Sequence, residues 1–292
     1  MEDNLVSAGW LKANLHRKDI IIIDCRFRLS DFSAGKKMYN EGHIPGAYFL
    51  DLEEHLSGKK GEHGGRHPLP DEDSFVNLMR KCGVHKDTIV IAYDDQMAGS
   101  ARLWFLLRYI GHDNIAILDG GIQEWVNAGY ELSGEIPPEK VGDIAPSVRR
   151  NLVADRTDVK NHGAHKIIDC REDVRFRGIT EPIDRKAGHI PDAINIPYTL
   201  LLKNNHFIDE MEIRKLFNGI PEGSIVYCGS GVTSCINLFA MDKIGLNPRV
   251  YAGSWSDWIS YEENREKRGR YMSCQLKSGS PATPTLFFSA NL

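Results

Sequence analysis

The stretch that decides the fold of this chain reads Ser224-Ile225-Val226-Tyr227-Cys228-Gly229-Ser230-Gly231-Val232-Thr233-Ser234, and the apolar run 235–244 follows it. The pattern predicts a short buried strand, a tight loop and a helix. Loop N–H groups and the positive end of the helix favour a thiolate over a thiol at Cys228. Gly229 and Gly231 tolerate the backbone dihedrals that such a loop needs. A free cysteine at a strand end is otherwise a small buried hydrophobic residue, but the glycines and hydroxyls here favour a reactive one.

The second feature of the sequence is an internal repeat. Ile20-Ile21-Ile22-Ile23-Asp24-Cys25-Arg26 returns as Lys166-Ile167-Ile168-Asp169-Cys170-Arg171, and Gly42-His43-Ile44-Pro45-Gly46-Ala47 returns as Gly188-His189-Ile190-Pro191-Asp192-Ala193. The order and spacing are kept, which predicts a duplicated domain of ~120–140 residues. We therefore predict a first domain at 1–135, a Pro-containing linker at 136–150, a second domain at 151–268 and a tail at 269–292.

Strand and helix patterns alternate through both halves, which is typical of α/β domains with parallel sheets covered by helices. The predicted strands are 20–24, 47–49, 89–93 and 115–118 in the first half, and 167–169, 193–196, 224–227 and 249–251 in the second. The predicted helices are 73–82, 100–110, 211–217 and 234–244.

These motifs together resemble the rhodanese family in its tandem two-domain form, over residues of about 5–265. The resemblance implies two rhodanese-like domains, each a parallel sheet flanked by helices. The loop after Cys228 is similar to that of the 3-mercaptopyruvate sulfurtransferases, whereas thiosulfate-using members more often carry cationic residues there. The implied activity is sulfur transfer from 3-mercaptopyruvate through a Cys228 persulfide, and thiosulfate:cyanide sulfurtransfer by the same cysteine is the alternative. A thiol or cyanide would accept the sulfur, with thioredoxin as one candidate, and no cofactor is implied.

The first domain lacks the nucleophile. Aligning Tyr93-Asp94 on Tyr227-Cys228 places Asp94 where the sulfur should lie. The segment from Asp94 to Gly99 lacks the glycine spacing of an anion cradle, and a carboxylate there would repel an anionic substrate. We therefore expect the second domain to be catalytic and the first to form one wall of the cleft.

Two other classes of function use a cysteine in such a loop. A cysteine phosphatase needs Cys-x5-Arg, but Ser234 stands where the arginine would lie, so phosphoryl transfer would lack its main charge stabiliser. A redox-sensing or binding protein could pair Cys228 with Cys235. Packing of Cys235 in the helix is the simpler interpretation, and the intact nucleophile loop favours an enzyme.

The resemblance also implies the residues around the nucleophile. Arg175 and Arg185 match the two arginines that hold the carboxylate and keto group of the donor, a task suited to the planar guanidinium. Gly229, Gly231, Val232 and Thr233 complete the binding loop. Ser230, His67 and Glu53 match a proton relay in which His63 could replace His67. Arg102 and Trp104, on the helix after Asp94, could face the cleft, whereas the duplicated His43 and His189 are interpreted as structural.

Composition agrees with an enzyme acting on small molecules. The formal net charge is −4 without a concentrated basic stripe, so we expect no nucleic-acid partner. No apolar run suits a signal peptide or a membrane span. The cysteines form no C-x-x-C pair and no ligand spacing, so we expect free thiols, no metal and a cytoplasmic location. They are Cys25, Cys82, Cys170, Cys228, Cys235 and Cys274.

Overall fold

Two parallel sheets of five strands organise residues 4–269, the part of the chain that this computed structural model describes. The strands are β1 (Leu5–Val6), β2 (Ile20–Asp24), β3 (Tyr48–Phe49), β4 (Ile89–Tyr93), β5 (Ile115–Leu118), β6 (Val153–Ala154), β7 (Ile167–Asp169), β8 (Ile194–Asn195), β9 (Leu202–Lys203), β10 (His206–Phe207), β11 (Ile225–Tyr227) and β12 (Arg249–Tyr251). The first sheet has the order β1-β5-β4-β2-β3 and the second the order β6-β12-β11-β7-β8, while β9 and β10 form a separate antiparallel hairpin. The two orders are the same once each strand is matched to its repeat, so the duplication predicted from sequence is a duplication of the fold.

Helices follow the strands in both halves of the chain. They are α1 (Ala8–Asn14), α2 (Ala34–Glu41), α3 (Glu72–Lys81), α4 (Ala98–Tyr109), α5 (Gly121–Asn127), α6 (Arg156–Lys160), α7 (Asp173–Phe176), α8 (Glu210–Leu216), α9 (Ser234–Lys243) and α10 (Ser254–Trp258). Asp71 and Asp209 begin α3 and α8 by accepting hydrogen bonds from backbone N–H groups of the first turn, as N-cap residues do. In β2, Ile21 and Ile23 pack with α3 and α4, whereas Ile20 and Ile22 pack with α1 and α5. Both faces of the sheet are thus covered, which explains why β2 is a continuous apolar run.

The predicted α/β fold is confirmed, and the larger elements lie within one or two residues of their predicted positions. The sequence patterns do not predict β1, β6, the β9–β10 hairpin or the short helices. The missed strands are two residues long and contain no periodic pattern, whereas the equally short β3 and β8 directly follow the duplicated Gly-His-Ile-Pro-x-Ala motif. The predicted tail lies outside the described residues from position 270 onward, together with Cys274, and the predicted domain limits stay a prediction.

The duplicated Asp-x-Arg and Gly-His-Ile-Pro motifs hold each sheet to its neighbouring turn. Arg26 forms a buried ion pair with Asp24 at 2.6 Å, and the Tyr93 hydroxyl donates to the same carboxylate at 2.8 Å. The N–H of Ile44 donates to the Tyr93 hydroxyl at 3.1 Å. His43 is buried, and both of its ring nitrogens contact main-chain carbonyl oxygens. The second domain repeats the Asp169–Arg171 pair and the contact of Ile190 with Tyr227, whereas His189 contacts a carbonyl oxygen through Nδ1 only. These residues stabilise the fold in both domains.

The linker runs over the first domain. Ile144 is buried, and the N–H groups of Lys140 and Ser147 donate to carbonyl oxygens of Lys81 and Ile110. The segment between Glu135 and Arg149 forms no helix or strand, as its composition predicts.

The two domains are packed through the helices that follow their loops. Trp104 of α4 meets Phe239 of α9 edge to face, with ring centroids 5.1 Å apart, and Arg108 pairs with Asp242 at 2.6 Å. The hairpin of the second domain reaches the end of β5, where the Phe207 N–H donates to Asp119 at 3.0 Å. Because α4 and α9 begin at the loops after β4 and β11, this packing brings the two loops to the domain interface.

Candidate active site

Cys228 lies at the carboxyl end of β11, in a loop that closes around its sulfur. The N–H of Gly231 donates to Cys228 Sγ at 3.2 Å. Gly231 has φ +80°, and a Cβ at this position would lie 2.2 Å from the carbonyl oxygen of Ala252. Only glycine fits this turn, so the loop geometry requires the glycine that the sequence provides.

The environment of Cys228 favours the thiolate. Burial raises the pKa of the thiol, but the hydroxyls of Ser234 and Thr233 and the N–H groups of Ser230 and Ser234 outweigh burial and hold the pKa below its ordinary value. By contrast, burial raises the pKa of Cys235 to about 12, and its thiol donates to the Gly231 carbonyl at 3.3 Å. Cys228 therefore has the setting of a nucleophile, whereas Cys235 packs as a thiol.

Ser230, His67 and Glu53 form a hydrogen-bonded chain across the domain interface. His67 Nδ1 lies 2.7 Å from Ser230 Oγ, and His67 Nε2 lies 2.7 Å from Glu53 Oε1. Because an ionised carboxylate only accepts hydrogen bonds, Nε2 carries the proton of the neutral ring and Nδ1 accepts from the Ser230 hydroxyl. His63 contacts Ser260 at 2.7 Å and stacks on Tyr261, so it does not replace His67 in this arrangement.

The protonation states of this chain follow from burial and charge. Burial lowers the pKa of His67 to about 4, although Glu53 raises it in part. Burial raises the pKa of Glu53, but the Lys60 ammonium at 2.8 Å and the His67 ring outweigh it and hold the pKa below its ordinary value. At neutral pH the ring is therefore neutral and the carboxylate ionised, which is the state that a proton relay needs.

Two arginines flank Gly229, and one of them was not predicted. Arg175 Nη2 lies 3.4 Å from the position that a Cβ on Gly229 would take, and Arg66 Nη2 lies 2.9 Å from it. Arg185 instead donates to the carbonyl oxygen of Ile259 at 2.5 Å. The structure therefore pairs Arg175 with Arg66 rather than with Arg185.

The position of Arg66 depends on contacts between the domains. The loop that carries it is tied to α10, since the Arg66 N–H donates to Ser256 Oγ at 3.1 Å and the Gly64 N–H donates to Asp257 at 2.7 Å. These contacts join residues far apart in sequence. The only local signal was that Arg66 directly precedes the predicted relay histidine.

The other residues of the predicted loop pack in the core or lie beside the sulfur. Val232 is buried in the core shared by both domains, and Thr233 precedes α9 with its hydroxyl near the sulfur. Gly229 keeps the space open on the side of the two arginines, because a side chain there would contact them.

Arg102 connects the first domain to the loop that follows Cys228. Its guanidinium is fully buried and donates to the Gly231 carbonyl at 3.0 Å, and to the carbonyls of His67 and Pro68 at 3.1 Å each. A cation in this place also favours negative charge on Cys228. Arg102 therefore contacts the backbone of the loop that follows Cys228, and Trp104 lies in the contact between α4 and α9.

The loop after β4 corrects one expectation. The Asp94 carboxylate accepts hydrogen bonds from the N–H groups of Met97 and Gly99 at 2.6 Å each. The N–H groups of this loop therefore do bind an anion, and that anion is the loop's own Asp94 carboxylate. The prediction that glycine spacing was needed is wrong because Met97 adopts a left-handed backbone conformation with φ +63°. Burial raises the pKa of Asp94 to about 6. A carboxylate instead of a thiol leaves this loop without a nucleophile, as expected.

Residues 4–269 contain no group of three His, Cys, Asp or Glu side chains placed to hold a metal ion. In the same part of the chain, no helix combines the length and the apolar character needed to cross a bilayer.

Comparisons with known proteins relate this arrangement to proteins already described. A profile of the rhodanese-like domain matches residues 7–128 and again 153–261. A probable 3-mercaptopyruvate sulfurtransferase of Pseudomonas aeruginosa is 39% identical over 270 residues, which cover 88% of this chain and 95% of that protein. A putative thiosulfate sulfurtransferase, SseB of Mycobacterium tuberculosis, is 37% identical and covers 88% of this chain and 94% of its own. The crystal structure of SseA from Escherichia coli, a 3-mercaptopyruvate sulfotransferase, superposes with a TM-score of 0.75 at 31% identity, over 87% of this chain and 99% of that one.

Proposed function

Because this chain belongs to the rhodanese family and is a sulfurtransferase, we propose that it takes sulfur from 3-mercaptopyruvate through a persulfide on Cys228. The observation that carries the choice of donor is the hydrogen-bonded chain from Ser230 through His67 to Glu53. 3-Mercaptopyruvate carries a thiol whose proton must move during the reaction, whereas thiosulfate carries no such proton. A relay beside the nucleophile therefore supports the thiol-bearing donor.

The proposed first step is attack of the Cys228 thiolate on the donor sulfur. The new S–S bond forms as the carbon–sulfur bond breaks, and the electron pair of the broken bond passes to carbon as the enolate of pyruvate. The thiol proton moves to Ser230 while the Ser230 proton moves to His67 Nδ1, and the same path returns a proton to the enolate carbon. The products are the Cys228 persulfide anion and pyruvate, so charge and protons balance. Glu53 stabilises the transient imidazolium.

The second step returns the enzyme to its starting state. An acceptor thiolate or cyanide attacks the outer sulfur of the persulfide, and the Cys228 thiolate leaves. The cradle of N–H groups and hydroxyls that lowers the pKa of Cys228 also makes the thiolate a better leaving group. Dividing one transfer into two steps through a covalent intermediate is what a nucleophilic cysteine provides.

Arg175 and Arg66 are proposed to bind the anionic end of the donor. Both flank Gly229 on the open side of the loop, and guanidinium groups bind carboxylates through paired hydrogen bonds. The same pair of cations would also suit thiosulfate, which is a dianion. Thiosulfate:cyanide sulfurtransfer is therefore the second candidate, and the thiosulfate sulfurtransferase name of the Mycobacterium tuberculosis relative also favours it.

We place the reaction in the cytoplasm, where a reducing environment would keep the catalytic thiol available between turnovers. A small thiol is the simplest acceptor, and reduced thioredoxin is a protein acceptor to be tested beside it.

The test compares 3-mercaptopyruvate and thiosulfate as donors, with a dithiol and cyanide as acceptors. We expect a higher kcat/KM for 3-mercaptopyruvate, a mass increase of one sulfur on Cys228 with donor alone, and no turnover in Cys228→Ser. Cys235→Ser is the matched control and should retain the mass increase. A preference for thiosulfate would refute the choice of donor, and sulfur transfer by Cys228→Ser would refute the role of this cysteine.

A further inference from the structure

Asp184 lies between the two arginines that flank the catalytic loop. Its carboxylate forms an ion pair with Arg66 and lies 3.3 Å from Arg175 Nη2. Asp184 Oδ2 is 3.7 Å from the position that a Cβ on Gly229 would take. The Asp184 side chain is only 4% exposed. A carboxylate of the protein itself therefore occupies the side of the loop on which an anionic donor would bind.

The neighbouring acidic residue, Glu181, has a different role. It accepts from Arg175 Nε at 3.1 Å and from Nη2 at 2.7 Å, and it also accepts from Arg171 at 3.2 Å. This paired contact fixes the orientation of Arg175. Asp184 instead bridges two cations from different domains, so its charge balances the pair rather than orienting one member.

Asp184 lies in an irregular segment in which its side chain can change conformation. Residues 179–187 form no helix or strand, and Ile183, directly before Asp184, is 48% exposed. The N–H groups of Ile183 and Asp184 both donate to Glu181 at 3.1 Å. The backbone is thus held locally, while the Asp184 side chain can rotate without breaking a strand or helix.

We propose that Asp184 is an internal competitor for the anionic group of the sulfur donor. On binding, the carboxylate of the donor replaces the Asp184 carboxylate between Arg66 and Arg175. Asp184 thereby sets the affinity for the donor and prevents unproductive anions from settling beside the Cys228 thiolate. This inference rests on the proposed function, since it concerns how the same site selects its donor.

The test removes the charge and keeps the shape, in Asp184→Asn. An amide binds guanidinium groups less strongly than a carboxylate, so the donor would displace it at lower cost. We expect KM for 3-mercaptopyruvate to fall about tenfold, from the strength of one charge-assisted hydrogen bond, with a smaller change in kcat. Asp173→Asn is the matched control, because Asp173 is 60% exposed and pairs with Arg177. An unchanged or higher KM in Asp184→Asn would overturn the proposal.

A second measurement separates this proposal from the sulfurtransferase reaction. Iodoacetate and iodoacetamide alkylate thiolates, but only iodoacetate carries a negative charge. We expect the ratio of their rate constants at Cys228 to rise about tenfold in Asp184→Asn, by the same estimate, and to stay constant in Asp173→Asn. A raised ratio would support the proposal even if 3-mercaptopyruvate proved not to be the donor, and an unchanged ratio would refute it whatever the donor is. Asp184→Ser repeats both measurements if the asparagine variant does not fold.

Discussion

Replacing Ser234 with alanine should weaken the thiolate of Cys228 without disturbing the loop. Among the described residues, the buried Ser234 hydroxyl makes no hydrogen bond in the resting structure, but it lies close enough to Cys228 to favour the thiolate. Removing it therefore leaves no other group unsatisfied. Among the groups that lower the pKa of Cys228, this hydroxyl contributes most, so its loss should raise that pKa.

The magnitude follows from the strength of one hydrogen bond to a charged group. Such a bond contributes about 1.5–3 kcal/mol, and about 1.4 kcal/mol corresponds to a change of one in pKa. The pKa of Cys228 should therefore rise, by no more than the loss of one such bond allows. A more basic thiolate is also more nucleophilic, by about threefold for each tenfold gain in basicity. At a pH below the pKa the smaller thiolate fraction outweighs this gain, so the variant should react about threefold more slowly for each tenfold gain in basicity. At a pH above the pKa it should react faster than the wild-type protein.

The assay is the rate of Cys228 alkylation by iodoacetamide between about pH 5 and pH 10, a range that brackets the ordinary pKa of a thiol, followed by mass spectrometry. Ser100→Ala is the matched control, because Ser100 stands six residues after Asp94, as Ser234 does after Cys228, and its hydroxyl donates to Asp94 rather than to a thiol. We expect the midpoint of the profile to rise in Ser234→Ala and to stay in place in Ser100→Ala. An unmoved midpoint in Ser234→Ala would show that this hydroxyl does not stabilise the thiolate, and the prediction would be wrong.

Three further predictions concern the contacts around the loop. Glu53→Gln should lower kcat with 3-mercaptopyruvate about tenfold or more, because an amide no longer fixes the proton on His67 Nε2. Thiosulfate turnover is the control. Equal losses of kcat with both donors would contradict a relay that serves only the thiol-bearing donor. Burial lowers the pKa of His67 to about 4, so the ring stays neutral when the pH is lowered from about 8 to about 5. Over this range kcat/KM should fall through protonation of Cys228 alone. A second acidic step near the ordinary histidine pKa of about 6.5 would contradict the neutral ring. Arg102→Met should lower the free energy of unfolding by about 3 kcal/mol, because it leaves buried carbonyl oxygens of both domains without a donor. Urea unfolding measures this change. A loss below about 1 kcal/mol would contradict the role of Arg102 in joining the two domains.

The sequence alone determined the main elements, and it predicted Cys228 as the nucleophile. The apolar runs of β2, β4 and β11 and the duplicated turn motifs are local signals, because the residues that define each element are adjacent in the chain. For the same reason Cys228 could be recognised from its own loop. The glycine at position 231 is required by a backbone contact, and the requirement is visible as a glycine in the sequence.

Only the tertiary structure decided which side chains surround the sulfur. Arg66, rather than Arg185, lies beside Gly229 because its loop is tied to α10 of the other domain. The contact of His67 with Ser230 joins residues 163 positions apart. Sequence patterns report the periodicity and turn propensity of neighbouring residues, whereas these contacts depend on how α4 packs on α9. The chain therefore encodes the Cys228 loop locally, and the packing of two domains places the arginines and the Ser230–His67–Glu53 chain around it.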